Sequence, residues 1–145
     1  MTRLCSAAIM FEMQDYRKLR VWQHAHHLAL EVRRLSRAFP RSGHASLNSQ
    51  ITRAAESISF NIAEGCGSAS QREFARFLDI SIKSTLELEA QLELAKDYGI
   101  LGTANWKEVS QLVIDVRRML CGLRAKVISS MHKPEVPVNE SRETQ

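Results

Sequence analysis

Four separate runs of apolar and small residues recur along the chain at alternating spacings of three and four, with polar residues between them. In the first, Trp22, Ala25, Ala29, Val32, Ser36 and Phe39 make the stripe, and Pro40 stops it. In the second, Leu47, Ile51, Ala54, Ile58 and Ile62 recur, and Gly65 and Gly67 are expected to end the helix. The third opens on Ser70 and Glu73, the pattern of a capping box, and continues through Phe74, Leu78, Ser81, Thr85, Leu88, Leu92 and Ala95 to Gly99. The fourth reads Trp106, Val109, Val113, Val116, Leu120, Leu123 and Val127. These periods predict helices over residues 17–39, 47–65, 70–98 and 104–131. Strict three–four alternation implies near-parallel packing with a left-handed supercoil. Short connections imply that neighbours run in opposite directions. The expected fold is therefore all-α, an antiparallel up-down four-helix bundle over residues 15–133. Residues 1–14 are expected to form a flexible N-terminal tail. Residues 134–145, polar and broken by proline, are expected to form a disordered C-terminal tail.

Two helices carry more apolar surface than a lone bundle needs. Phe77, Ile80, Ile82 and Leu86 flank the third stripe, and Leu112, Ile114, Met119 and Ile128 flank the fourth. Either the core is broader than usual, or a stripe is left for another subunit.

Charge changes the picture more than composition does. The net charge is a modest +4, but residues 15–41 carry seven Lys or Arg against two acids, and residues 103–133 carry six against two. The two middle helices are mildly acidic. In an up-down bundle the first and last helices are neighbours, so their bases would merge into one face. Its candidate members are Arg17, Lys18, Arg20, Arg33, Arg34, Arg37 and Arg41 with Arg117, Arg118, Arg124 and Lys126. Arg20, His27, Arg34 and Arg41 repeat every seven residues. Arginine outnumbers lysine, and its planar fork suits phosphate. Such a face would hold RNA or DNA by the backbone, with steep salt dependence. It would equally dock on the acidic helices of a neighbouring copy, closing a ring or a filament. A merely solvated surface is the third reading.

Catalytic chemistry finds little support. His24 and His27 share a helix face, but no further ligand is placed in sequence to complete a metal site. No Glu-x-x-His pair, phosphate-binding glycine loop or nucleophile beside a base is present. The reading is a non-enzyme without metal or cofactor. The 3 cysteines are odd in number and scattered, which argues against a disulfide framework and for a reduced, cytoplasmic setting. No apolar run reaches the ~20 residues of a membrane span. The stretch from Leu4 to Phe11 makes a poor signal peptide.

At the second and third helices the residues become familiar. The run from Leu47 to Gly65, LNSQITRAAESISFNIAEG, resembles the signature of the four-helix bundle proteins encoded in intervening sequences of bacterial 23S ribosomal RNA genes. LRVWQHA from Leu19, SQREFARFL from Ser70 and ELEAQLELA from Glu87 agree with it. The likeness covers about residues 15–100. The family includes proteins similar to the accessory variability determinant of diversity-generating retroelements. The resemblance implies a pentameric ring of up-down bundles, a basic surface, and binding to nucleic acid and a reverse transcriptase.

Carried onto this chain, the family pattern picks out Trp22, Gln50, Arg53, Ser57, Asn61, Glu64, Gly65, Glu73, Phe77, Glu87 and Glu89. Structural work is expected of most of them. Trp22 reads as a core anchor, Asn61 and Glu64 as bridges to Arg53 or to the third helix, and Gly65 as a left-handed helix end. The chain departs from the pattern at Arg41–Ser46, at Phe60 and at Cys66–Ser68. The expected function is that of a non-enzymatic, oligomeric accessory protein that binds nucleic acid through its first and fourth helices. The alternative is a self-assembly module with no nucleic-acid ligand.

Overall fold

A computed structural model describes residues 15–132; both expected tails, 1–14 and 134–145, lie outside the described residues. Four helices account for nearly all of it: α1 (Arg20–Arg37), α2 (Ala45–Cys66), α3 (Gln71–Asp97) and α4 (Thr103–Met131). No strand occurs among the described residues. Helix α1 begins three residues later than the periodicity predicts. Tyr16–Lys18 instead form a 3-10 turn, closed by the Asp15 carboxylate accepting from the Arg17 N–H at 3.1 Å. Each helix packs on two others, α3 on α2 and α4, and α1 on α2 and α4; the diagonal pairs make no close backbone approach.

The core stripe of α1 keeps four of the six predicted positions, Ala25, Val32, Ser36 and Phe39, leaves Trp22 and Ala29 at its margin, and adds Val21, Leu28 and Leu35. Val21, Ala25, Leu28, Val32, Leu35, Ser36 and Phe39 are buried, spaced as a heptad seam. Trp22 is only half-buried, stacked on His26 with ring centroids 4.7 Å apart and edge-on to Tyr16 at 4.9 Å. The predicted α3 stripe from Phe74 to Ala95 is buried throughout. In α4, Val109, Val113, Val116, Leu120 and Val127 are buried, while Trp106 and Leu123 lie at its margin. Full burial of one such Leu or Ile contributes about 1.5–3 kcal/mol.

Half of the apolar flank residues broaden the core: Ile82, Leu112, Met119 and Ile128 pack against it half-buried. Leu86 does not, and stays exposed.

The α2–α3 interface is built from small residues. Ser81 Oγ donates to the Ile58 carbonyl at 2.9 Å, and the Ser57 and Ser84 hydroxyls share a hydrogen bond of 3.0 Å. Such side chains let the two backbones close up, and Gly65 serves the same end. It sits inside α2, buried, without positive φ, so it is not the left-handed terminus the sequence predicted. Gly99 is such a terminus (φ 75°), and the Gly99 N–H donates to the Lys96 carbonyl at 2.9 Å. The capping box at α3 forms with one change. Ser70 Oγ accepts from the Glu73 N–H at 3.1 Å, but the Glu73 carboxylate reaches back to the Ala69 N–H at 3.3 Å instead of Ser70's.

Candidate nucleic-acid interface

Pro40 ends α1, Gly43 turns the chain at φ 84°, and α2 starts at Ala45. Between the last turn of α1 and the first turns of α2 lies an open cleft of about 740 Å³. Arg33 and Arg37 reach it from α1, Arg41 from the connection and Arg53 from α2. No acidic residue lines it. Among the described residues, none of the four guanidinium groups lies within 4.0 Å of a carboxylate. Four arginines around one concavity give it a positive potential. The uncapped N-terminus of α2 adds a partial positive charge at the same place.

The wall between the arginines is tied together internally. Ser36 Oγ donates to the Arg33 carbonyl at 3.0 Å, Asn48 Nδ2 to the Ser36 carbonyl at 3.2 Å, and Thr52 Oγ1 to the Asn48 carbonyl at 3.0 Å. Phe39 is buried beneath them, so no aromatic ring is free to stack on a base. The surface offers guanidinium forks on a fixed frame.

The other candidate bases lie elsewhere. Arg17 and Lys18 are in the 3-10 turn and Arg20 starts α1, about 26 Å along the helix from Arg37. Arg34 donates to the Glu31 carboxylate at 2.9 Å; it lines a second groove, between α1 and α4, together with Glu31 and Glu108. Arg117 pairs with Glu89 and Arg124 with Asp79, so both turn to α3 and away from α1. Arg118 and Lys126 are exposed on α4. A continuous basic face along α1 and α4 is not what these contacts make. The acids of α3 and of α1 itself neutralise its middle.

Several residues of the family pattern do structural work. Asn61 Nδ2 donates to the Ser57 carbonyl at 2.8 Å and to Ser57 Oγ at 3.0 Å, so it bridges within α2 and not to Arg53. Glu64 is exposed and makes no ion pair among the described residues. Gln50 Nε2 donates to Ser46 Oγ at 3.2 Å, and Glu87 accepts from Gln91 Nε2 at 3.1 Å. Phe77 packs its Cβ near Gly65 and lies under the Arg76 guanidinium. Arg53 is the cleft-lining arginine that the sequence reading did not count in the basic face. Counted outward from the Pro40–His44 connection, it stands about as far along α2 as Arg33 stands back along α1.

No group of three or more metal-binding side chains forms among the described residues. His24 and His27 are exposed on α1. No described helix is long and apolar enough to cross a membrane.

A second surface feature lies on α3. Leu86, Ala90, Leu94 and Tyr98 follow one another at every fourth residue and are all exposed, Leu86 and Tyr98 by more than half.

Comparison with known proteins finds a family model, described as 23S rRNA-intervening sequence protein, that matches residues 17–122. The chain is also similar to a crystal structure of a protein of unknown function from the S23 ribosomal protein family of Bacteroides thetaiotaomicron VPI-5482. The TM-score is 0.69 at 21% identity, over 72% of this chain and 95% of that one. At that identity the likeness establishes the fold. No curated protein matches the chain.

Proposed function

The chain belongs to the family of 23S rRNA-intervening sequence proteins, and from that footing we propose that it is a non-enzymatic, cytoplasmic accessory protein that binds RNA or DNA as a homo-oligomer. The binding surface is the cleft between α1 and α2. One observation carries the reading: Arg33, Arg37, Arg41 and Arg53 converge on a concave surface that no carboxylate lines. Arginine forks match phosphate oxygens, and with no exposed ring in the cleft the backbone is recognised and not the bases. This surface takes the place of the α1–α4 face because Arg34, Arg117 and Arg124 already have acidic partners.

The bundle is read as antiparallel and up-down, with a left-handed supercoil. Supporting this, the cross-links between α3 and α4 pair Glu89 with Arg117, Asp79 with Arg124 and Gln71 with Ser130, falling along one helix as they rise along the other. The heptad seam of α1 supports the supercoil.

Self-assembly without nucleic acid is the second reading, and the exposed row on α3 favours it. The two are separated by fluorescence anisotropy with short labelled RNA and DNA. The first predicts binding that weakens steeply with salt and disappears in Arg33→Glu/Arg37→Glu. Binding unchanged by that double variant would overturn it.

A further inference from the structure

We infer that the arginine cleft is a receptor for a compact polyphosphate, such as the 5′-triphosphate of an RNA strand, which it holds more tightly than the phosphodiester backbone. The inference rests on the nucleic-acid reading above and narrows it. Four arginines, Arg33, Arg37, Arg41 and Arg53, line one open cleft of about 740 Å³, Arg53 at its border with a neighbouring groove that Glu87 also lines. Successive phosphodiesters carry one charge each and are spread along a strand. Four cations gathered in one concavity are matched by an anion whose charge is equally gathered. A triphosphate brings about four charges on three adjacent phosphorus atoms and offers enough oxygens for several forks at once.

The remaining polar groups agree. Ser36, Asn48 and Thr52 already donate to backbone carbonyls, so the guanidinium groups are the main free donors. The buried Phe39 gives a base no ring to stack on. A ligand held by charge alone, without its base being read, is what this lining selects. The shared chemistry is the triphosphate, whether it arrives on an RNA end or on a free nucleotide.

The test measures binding of the full chain to one RNA sequence with either a 5′-triphosphate or a 5′-hydroxyl end, with inorganic tripolyphosphate and a nucleoside triphosphate as competitors. The 5′-triphosphate strand is expected to bind about tenfold tighter or more, a difference of about 1.4 kcal/mol. Tripolyphosphate should displace it. Arg37→Glu and Arg53→Glu should each erase the preference while circular dichroism stays unchanged, and Lys83→Glu on α3 should leave it intact. A nucleoside triphosphate that binds as tightly as the strand makes free nucleotide the source and still supports the cleft's chemistry; a tighter strand makes the source the RNA end. Equal affinity for the two strands, with both weakened by Arg37→Glu, overturns the polyphosphate receptor and leaves nucleic-acid binding standing. Failure of every ligand to bind overturns both.

Discussion

Gly65 of α2 lies so close to Phe74 of α3 that a Cβ on the glycine would stand 2.8 Å from the ring's Cδ2. The same Cβ would meet Phe74 Cε2 and Phe77 Cβ at 3.1 Å. A ring edge and a Cβ fixed to a helix backbone have little room to yield. Gly65→Ala should therefore lose stability, although alanine is the better helix former by up to ~1 kcal/mol. Overpacking of this kind costs about 1–3 kcal/mol. Urea denaturation of the single variant should show the loss, and Gly65→Ala/Phe74→Leu should recover part of it. A more stable single variant would mean that the α2–α3 contact is looser than described.

The helices and most of the core were legible in the sequence because a four-helix core repeats one pattern many times. Phe74 to Ala95 needed only the three–four spacing. Local errors came where one residue carried two meanings. Trp22 reads as a core residue because its ring is large, yet it lies at the rim, while Val21, Leu28 and Leu35 join the predicted Ala25, Val32, Ser36 and Phe39 in the core. Gly65 read as a helix end because glycine there also suits a turn; that it serves a close approach depends on Phe74, which lies on the next helix. The arginines were visible as charge but not as geometry. Which of them are neutralised depends on Glu89 and Asp79, whose direction only packing decides.

That distinction among the arginines makes stability and binding separable. The Arg117–Glu89 and Arg124–Asp79 pairs are partly exposed, and removing either should change stability by less than about 1 kcal/mol. Arg117→Gln and Arg124→Gln should accordingly lower the Tm slightly and leave RNA affinity unchanged. Arg33→Glu and Arg37→Glu should do the reverse. If the α4 variants weakened binding as much as the α1 variants, the α1–α4 face would be the correct surface.

Salt dependence gives an independent measure of the contact. Each phosphate neutralised on a single strand contributes about −0.7 to the slope of log affinity against log salt, so four arginines give about −3 per bundle. Arg53→Gln should reduce that slope by about one contact. A slope near −1 in the native protein would show that the cleft arginines do not act together.

The cysteines provide a readout of α2 that needs no ligand. Burial, aided by the charge of Asp15, pushes the Cys66 thiol up from 9.0 to about 11, while Cys121 is exposed. In a Cys5→Ser background near pH 8, a maleimide should label Cys121 and spare Cys66 until the protein unfolds. The folded chain keeps the Cys66 proton to higher pH than the unfolded chain does. Its contribution to stability is therefore fully present below about pH 9 and lost as pH rises toward 11. Cys66→Ala should remove that part of the alkaline decline. Equal labelling rates for the two thiols in the native protein would show that the α2 C-terminus opens readily.

Assembly tests the row on α3. Leu86, Ala90, Leu94 and Tyr98 span about 18 Å along one face, and Leu86 is 52% exposed and Tyr98 57%. An apolar stripe of that length on an isolated bundle invites a second copy, and a contact that repeats head to tail with a closing rotation makes a ring. Light scattering should give an oligomer, with five copies expected from the family resemblance. Leu86→Glu/Leu94→Glu should shift the mass to that of one chain without loss of helicity, because neither side chain belongs to the core. Arg37→Glu should leave the mass unchanged. The opposite pattern, a ring broken by arginine reversal and indifferent to the leucines, would mean that the cleft is filled by acidic residues of a neighbouring copy. RNA would then have no access to it, so the same measurement decides between a nucleic-acid cleft and an assembly contact.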